Sequence, residues 1–205
     1  MNNIILEALL GTEETPLPVT DQTNNRRTAI LDVTCAPANI RYPRDASLLN
    51  EARPKLEKMI GWFYQEYKLD KKPQTYCRLA HQEYLAFAKM KRPGAAKTRA
   101  TVRKQLEYVR RDIRYVGEFL TTGYAMKNNF AKQYPTIKKL YDQQKYMFDN
   151  KTHSVADRIV SLSQPFVRPI VRGKTKTPTE FGAKFDVSLD TQGFARIEKF
   201  FVYCL

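Results

Sequence analysis

An apolar seam between residues 102 and 120 defines the most regular part of this 205-residue sequence. Its apolar side chains recur at alternating spacings of four and three residues, which is the period of one buried face of an α-helix. The pattern therefore predicts a long amphipathic helix. The members of the seam are Val102, Leu106, Val109, Ile113, Val116 and Leu120.

Further helical patterns surround this seam. Residues 47–67 repeat their apolar positions at helical spacing, and Asp45 or Ser47 is the candidate N-cap. We expect a kink or a restart at Pro54, because proline lacks the N–H group that a helix interior requires. The segment from 47 to 150 is therefore expected to be largely helical. The other two helices predicted in it cover 76–91 and about 136–148.

Extended chain is expected on both sides of the helical segment. Residues 28–35 form a short apolar run with the composition of a buried strand. From Ile159 onward, β-branched residues and prolines favour extended chain or short strands. Residues 180–202 alternate apolar and polar side chains around turn residues 190–193, which predicts a β-hairpin.

Charge and cysteine content narrow the class of protein. The chain has 35 Lys and Arg against 21 Asp and Glu, a formal net charge of +14 that favours a polyanionic partner. Its three cysteines are far apart and do not have the spacing of a zinc site. Free thiols and the lack of a signal-peptide pattern predict a cytosolic protein, and no stretch approaches membrane-spanning length.

Basic residues are concentrated in the same region as the apolar seam. Between Lys89 and Arg114 there are ten Lys or Arg and only two acids. Four arginines share a narrow stripe beside the seam of the predicted helix. The stripe indicates contact with a phosphate backbone, because guanidinium groups match phosphate geometry, and a solvated helix face is the alternative. The stripe consists of Arg99, Arg103, Arg110 and Arg114.

A second basic cluster, "RPIVRGKTK" at 168–176, precedes the predicted hairpin. Its Arg168, Arg172 and Lys174 are candidates for nucleic-acid contact, and a basic surface turn is the equal alternative. The cluster does not have the G-x-x-x-x-G-K-[ST] spacing of a phosphate-binding P-loop.

Asp32 lies within the apolar run of the first predicted strand. Burying its charge is costly unless another group pairs with it. One interpretation is a structural carboxylate that accepts hydrogen bonds from the following turn. The other is a metal ligand on a rigid strand, since Mg²⁺ is often held by one or two carboxylates together with substrate phosphates. The residue pattern alone leaves both open.

Several long motifs occur in an order that resembles a known family. They look like the middle of a bacterial insertion-sequence transposase of the DDE type, which has an RNase H-like catalytic core. The similarity covers about residues 3–200. The motifs are "ILDVTCAPANIRYPRDASLLNEARPKLEKMI", "VRKQLEYVRRDIRYV", "YDQQKYMFDNKTHSVADRIVSLSQPFVRPIVRGK" and "EFGAKFDVSLD".

The resemblance implies a fold and an ancestral activity. The fold is a partial RNase H-like α/β fold, with a first strand, a basic helical insertion at 47–150, and a hairpin that supplies strands two and three. Residues 28–205 would form the partial catalytic domain, and 1–27 a remnant helix of an N-terminal domain with its linker. Asp32 matches the first metal-binding acid of the catalytic triad. The family cuts and joins DNA with two Mg²⁺ or Mn²⁺ ions.

The same resemblance implies partners and a location. The partner would be double-stranded DNA at transposon ends, together with a second copy of the chain or an intact transposase, and no membrane. The location would be the bacterial cytoplasm, in association with the nucleoid.

No residue of this sequence matches the second Asp or the Glu of the triad. Asp186 and Asp190 on the predicted hairpin match neither position. Two-metal phosphoryl transfer needs further acids to clamp both the attacking and the leaving oxygens. We therefore expect no catalysis by this chain alone. The competing hypothesis is a non-catalytic DNA-binding or interaction fragment that modulates an intact transposase.

Overall fold

A computed structural model describes residues 32–171, 179–189 and 195–200 of the chain. Within these ranges the protein combines helices and strands, so the general mixture of α and β structure is as predicted. Residues 1–31, the cluster residues 172–178 and the predicted turn lie outside the described residues. The helices are α1 (Asp45–Glu66), α2 (Cys77–Ala88), α3 (Ala95–Thr121) and α4 (Asn128–Asp149). The strands are β1 (Asp32–Pro37), β2 (Arg168–Val171), β3 (Thr179–Leu189) and β4 (Ala195–Phe200).

Helix α1 continues through Pro54 without a restart, so of the two expected alternatives only the kink stays a prediction. Proline in a helix interior costs about 3 kcal/mol. Burial of a large apolar side chain contributes about 1.5–3 kcal/mol, and α1 buries several on both sides of the proline. Burial therefore outweighs the lost hydrogen bond. The large apolar side chains that are fully buried on α1 are Leu49, Leu56, Met59, Ile60 and Phe63.

The start of α1 also differs from the prediction. The N-cap position is Arg44, with neither Asp45 nor Ser47 in that role. Ser47 Oγ instead donates a hydrogen bond to the carbonyl oxygen of Arg44 at 2.7 Å. Asp45 is the first helical residue, where a negative charge is favourable, and its Oδ1 lies 2.7 Å from Arg158 Nη2.

Helix α4 begins at Asn128, eight residues before the predicted start, and contains Pro135. Aromatic packing holds its first two turns. The rings of Phe130 and Trp62 are 5.8 Å apart, and the Tyr134 hydroxyl lies 3.3 Å from the carbonyl oxygen of Ile113. Tertiary contacts of this kind override the local effect of the proline.

The helices share one hydrophobic core, to which the apolar seam of α3 contributes. Val102, Leu106, Val109 and Val116 are buried, as predicted. Ile113 packs partly buried against the same core, whereas Leu120 is 37% exposed and is not a core residue.

The strands form one antiparallel sheet with β3 at its centre. β3 pairs with β1, where Asp32 is opposite Val187, and also with β2. β4 pairs with β3, where Leu189 is opposite Ala195, as expected for the predicted hairpin.

The segment between α4 and β2 returns across the helices before it enters the sheet. Its Ile159 and Leu162 belong to the helical core. Gln143 on α4 fixes this return, because its Oε1 accepts a hydrogen bond from the Ile159 amide at 2.9 Å and its Nε2 donates to the Asp157 carbonyl at 3.0 Å. Among the described helices, none has the length and apolar character needed to cross a membrane.

Candidate nucleic-acid interface

The arginine stripe predicted on α3 is present and faces outward. Helix α3 buries its apolar seam, and the neighbouring stripe is therefore directed away from the core. Arg110 and Arg114 are each 64% exposed at the side chain. Arg99 and Arg103, one and two turns into the helix, are exposed as well. The structure thus brings all four predicted arginines to one surface.

The C-terminal half of the stripe is paired with acids of the same helix. Arg110 Nη2 forms an ion pair with Glu107 Oε2, three residues earlier. Arg114 Nε lies 3.4 Å from Glu118 Oε1, four residues later. Both pairs are exposed, so each contributes little to stability, but each carboxylate offsets the positive potential of its arginine.

Arg99, in the N-terminal half, is held by the end of α4. Its guanidinium carbon lies 4.0 Å from the centre of the Phe148 ring. Its Nη1 donates a hydrogen bond of 3.1 Å to the carbonyl oxygen of the same Phe148. The ring and the carbonyl together orient the guanidinium, and no described residue forms an ion pair with it.

A shallow groove lies beside this contact. Its volume is about 430 Å³. Arg103 borders it and makes no hydrogen bond or ion pair with any described residue. The small side chains of two alanines leave room for a ligand to approach the helix. The residues that line the groove are Ala96, Arg99, Ala100, Arg103 and Phe148.

Lys104 of α3 is committed to a contact within the protein. Lys104 forms an ion pair with Glu83 on α2, and the Tyr108 hydroxyl donates to the other carboxylate oxygen of Glu83 at 3.0 Å. The hydrogen bond from Lys104 lowers the pKa of Glu83 below its ordinary value, and the same contact raises the pKa of Lys104. Lys104 is therefore engaged in joining α3 to α2.

A buried charged cluster lies on the opposite side of α3. Asp112 is completely buried, and neither of its carboxylate oxygens accepts a hydrogen bond within the described ranges. Burial raises its pKa to about 7, although the nearby Arg111 guanidinium opposes this shift. Arg111 Nε lies 3.6 Å from Asp112 Oδ1, while its Nη2 donates to the Thr75 carbonyl at 2.6 Å. Arg111 is thus directed away from the stripe.

The second basic cluster begins at Arg168, whose side chain is buried. Arg168 is only 4% exposed, and its contact with nucleic acid stays a prediction. It is the first residue of β2, and its guanidinium donates hydrogen bonds to the carbonyl oxygens of Pro165 and Val167. Arg172 and Lys174 lie outside the described residues.

Asp32 is the first residue of β1, opposite Val187 of the central strand. Asp186 is paired with Val33 instead. Within 32–171, 179–189 and 195–200, no group of three or more His, Cys, Asp or Glu residues could hold a metal ion.

Sequence reasoning missed the role of Phe148. Helical spacing places Phe148 on the same side of its helix as Ile137 and Leu140, and gives no sign that its ring also contacts the Arg99 guanidinium. A usable signal was the short connection between the two helices, because short loops join antiparallel neighbours and bring the end of α4 to the start of α3. No protein-family model, curated protein or solved structure matches this chain.

Proposed function

We propose that this chain is part of a DDE-type transposase with an RNase H-like core, and that its own residues bind duplex DNA through α3. One observation carries the binding proposal: four arginines lie exposed along one face of a single helix. The formal net charge of +14 adds long-range attraction for a polyanion.

The strand arrangement supports the RNase H-like part of the proposal. β1 is antiparallel to β3, and β3 is antiparallel to β4. This is the order expected if the three strands are the first three of such a core. The helices lie between β1 and the later strands in the sequence, as the resemblance implies for an insertion after strand one. Asp32 begins β1, at the position proposed for the first metal-binding acid.

The geometry of α3 suits a phosphate backbone. From Arg99 to Arg114 the helix advances by about 22 Å, at a rise of about 1.5 Å per residue. Guanidinium contacts of this kind position a protein on DNA without reading its sequence. Each phosphate neutralised lowers the slope of log Kobs against log salt by about 0.9. Two contacts would therefore contribute about −1.8 and four contacts about −3.6 to that slope.

The test is the affinity of the chain for a fluorescent duplex, measured by anisotropy at several salt concentrations. Replacement of all four stripe arginines by glutamine should weaken binding and reduce the magnitude of the salt slope by at least about 0.9, the value for one phosphate contact. A control variant removes four exposed charges elsewhere and should change the slope by less than about 0.5, about half of one phosphate contact. The control positions are Lys58, Lys68, Lys71 and Arg78. A flat salt dependence of the unmodified protein would refute phosphate contact.

DNA binding by α3 does not imply DNA cleavage. Two-metal cleavage needs several acids at one site, and the described residues contain no such group. We propose that these 205 residues bind DNA without cutting it, and so compete with an intact transposase for the same DNA. A nicking and strand-transfer assay with Mg²⁺ or Mn²⁺ should yield no product. Product formation that is abolished by Asp32→Ala would contradict this expectation.

A further inference from the structure

The two halves of the arginine stripe differ in their acidic neighbours. Glu107 and Glu118 pair with Arg110 and Arg114, so a phosphate that approaches the C-terminal half must compete with a carboxylate. No described acid forms an ion pair with Arg99 or Arg103. Each half of the stripe has two arginines, but the N-terminal half therefore attracts a phosphate more strongly than the C-terminal half.

The N-terminal half is also better organised for a ligand. The guanidinium of Arg99 rests on the Phe148 ring and uses one nitrogen for the Phe148 carbonyl. A guanidinium has five N–H donors in a fixed fork, and the remaining ones are free to meet a phosphate. Because this side chain is already oriented, less conformational entropy is lost when it binds.

The shape of this end fits a segment of DNA backbone. The groove is about 430 Å³ in volume and open to solvent, and Ala96 and Ala100 are among the residues that line it. One phosphodiester with an adjoining sugar could lie against the alanines, between the two guanidinium groups. A longer side chain at either alanine would hold the backbone away from the helix.

We propose that the groove formed by Ala96, Arg99, Ala100, Arg103 and Phe148 is the anchoring site for one DNA phosphate. The Arg110–Arg114 end then contributes only weakly to binding. This inference rests on the proposed function, since it assigns the DNA contact to one end of α3. It also gives Phe148 a role as a positioning residue, which orients Arg99 for the phosphate.

Two double variants with the same change in charge test the inference. Arg99→Gln with Arg103→Gln should weaken duplex binding at least ten-fold and reduce the magnitude of the salt slope by about 0.9, the value for one phosphate contact. Arg110→Gln with Arg114→Gln should weaken binding less than about three-fold and change the slope by less than about 0.5. Each variant is first compared with the unmodified protein by circular dichroism and thermal unfolding.

Two further variants separate positioning from charge. Phe148→Leu keeps both arginines, so we expect a two- to five-fold loss of affinity, of the size that a cation–π contact of about 0.5–1 kcal/mol supplies, with an unchanged salt slope. Glu107→Gln with Glu118→Gln releases Arg110 and Arg114, and should therefore strengthen binding and steepen the slope.

The outcomes distinguish this inference from the proposed function. Equal losses from the two arginine pairs would overturn the anchoring site and leave DNA binding by α3 intact. Unchanged affinity in Phe148→Leu would overturn the positioning role. A salt slope near zero in the unmodified protein would refute both the anchoring site and the proposed function.

Discussion

Replacement of Asp112 by asparagine should stabilise the protein at neutral and alkaline pH. Asp112 is completely buried on α3. The charged groups around it are Arg111 on its own helix and Arg53 and Glu57 on α1. Burial is the main reason that its pKa rises to about 7; Glu57 raises it further, while the two arginines act in the opposite direction. Asparagine retains the volume of the side chain and removes the charge.

The sign of the effect follows from proton linkage. The pKa of Asp112 is higher in the folded than in the unfolded protein, so folding takes up a proton at intermediate pH. The resulting stability is fully present below the unfolded pKa of 3.8 and is lost as pH rises to about 7. At about 1.36 kcal/mol per pH unit, the interval from 3.8 to about 7 corresponds to roughly 4 kcal/mol.

Urea unfolding at pH 5 and pH 8 measures this effect. The difference in unfolding free energy between Asp112→Asn and the unmodified protein should grow by roughly 2–3 kcal/mol between these pH values. Asp142 is an exposed acid on α4, and Asp142→Asn should follow the unmodified protein at both pH values. The reasoning is refuted if the difference in unfolding free energy between Asp112→Asn and the unmodified protein stays constant or falls as pH rises. That result would mean that Asp112 is charged in the folded protein and stabilised by its arginines.

Two other substitutions probe local effects. Pro54→Ala should raise the unfolding free energy by up to about 3 kcal/mol in urea titrations, because it restores a backbone donor at an exposed position within α1; a decrease would show that the proline ring itself contributes packing. Glu83→Gln should lower stability at pH 7 by less than about 1 kcal/mol. The pKa of Glu83 is lowered on folding, so its contribution is present above its ordinary value and lost at acid pH. The two proteins should therefore converge in stability near pH 3; a difference that persists there would contradict an electrostatic origin.

Local sequence patterns predicted the elements whose formation depends on local periodicity. The seam of α3 is one of these, because a repeat of three and four residues places Val102, Leu106 and Val109 on one face regardless of the partner. The start of α4 could not be predicted in this way. Pro135 indicates a helix boundary locally, whereas the packing of Phe130 against Trp62 extends the helix past it.

In the candidate site, too, the features that depend on one helix could be predicted and those that depend on tertiary packing could not. Angular positions on one helix predicted which four arginines share a stripe, because that depends on α3 alone. The support of Arg99 by Phe148 depends on how α4 docks, which a single sequence does not specify. Burial of Arg168 was missed for a similar reason, since a count of basic residues contains no information about neighbouring strands.

The pairing of β1 with β3 has a consequence for how the chain folds. Asp32 and Val187, which are opposite each other in the sheet, are 155 residues apart in the chain. The contacts within each helix are local, and local contacts form before distant ones because less loop entropy is lost. We therefore expect a folding intermediate with formed helices and an unpaired β1. During synthesis, β1 cannot pair with β3 until the ribosome has made all four helices. In a refolding experiment followed by pulsed hydrogen exchange, the helix amides should become protected before those of β3.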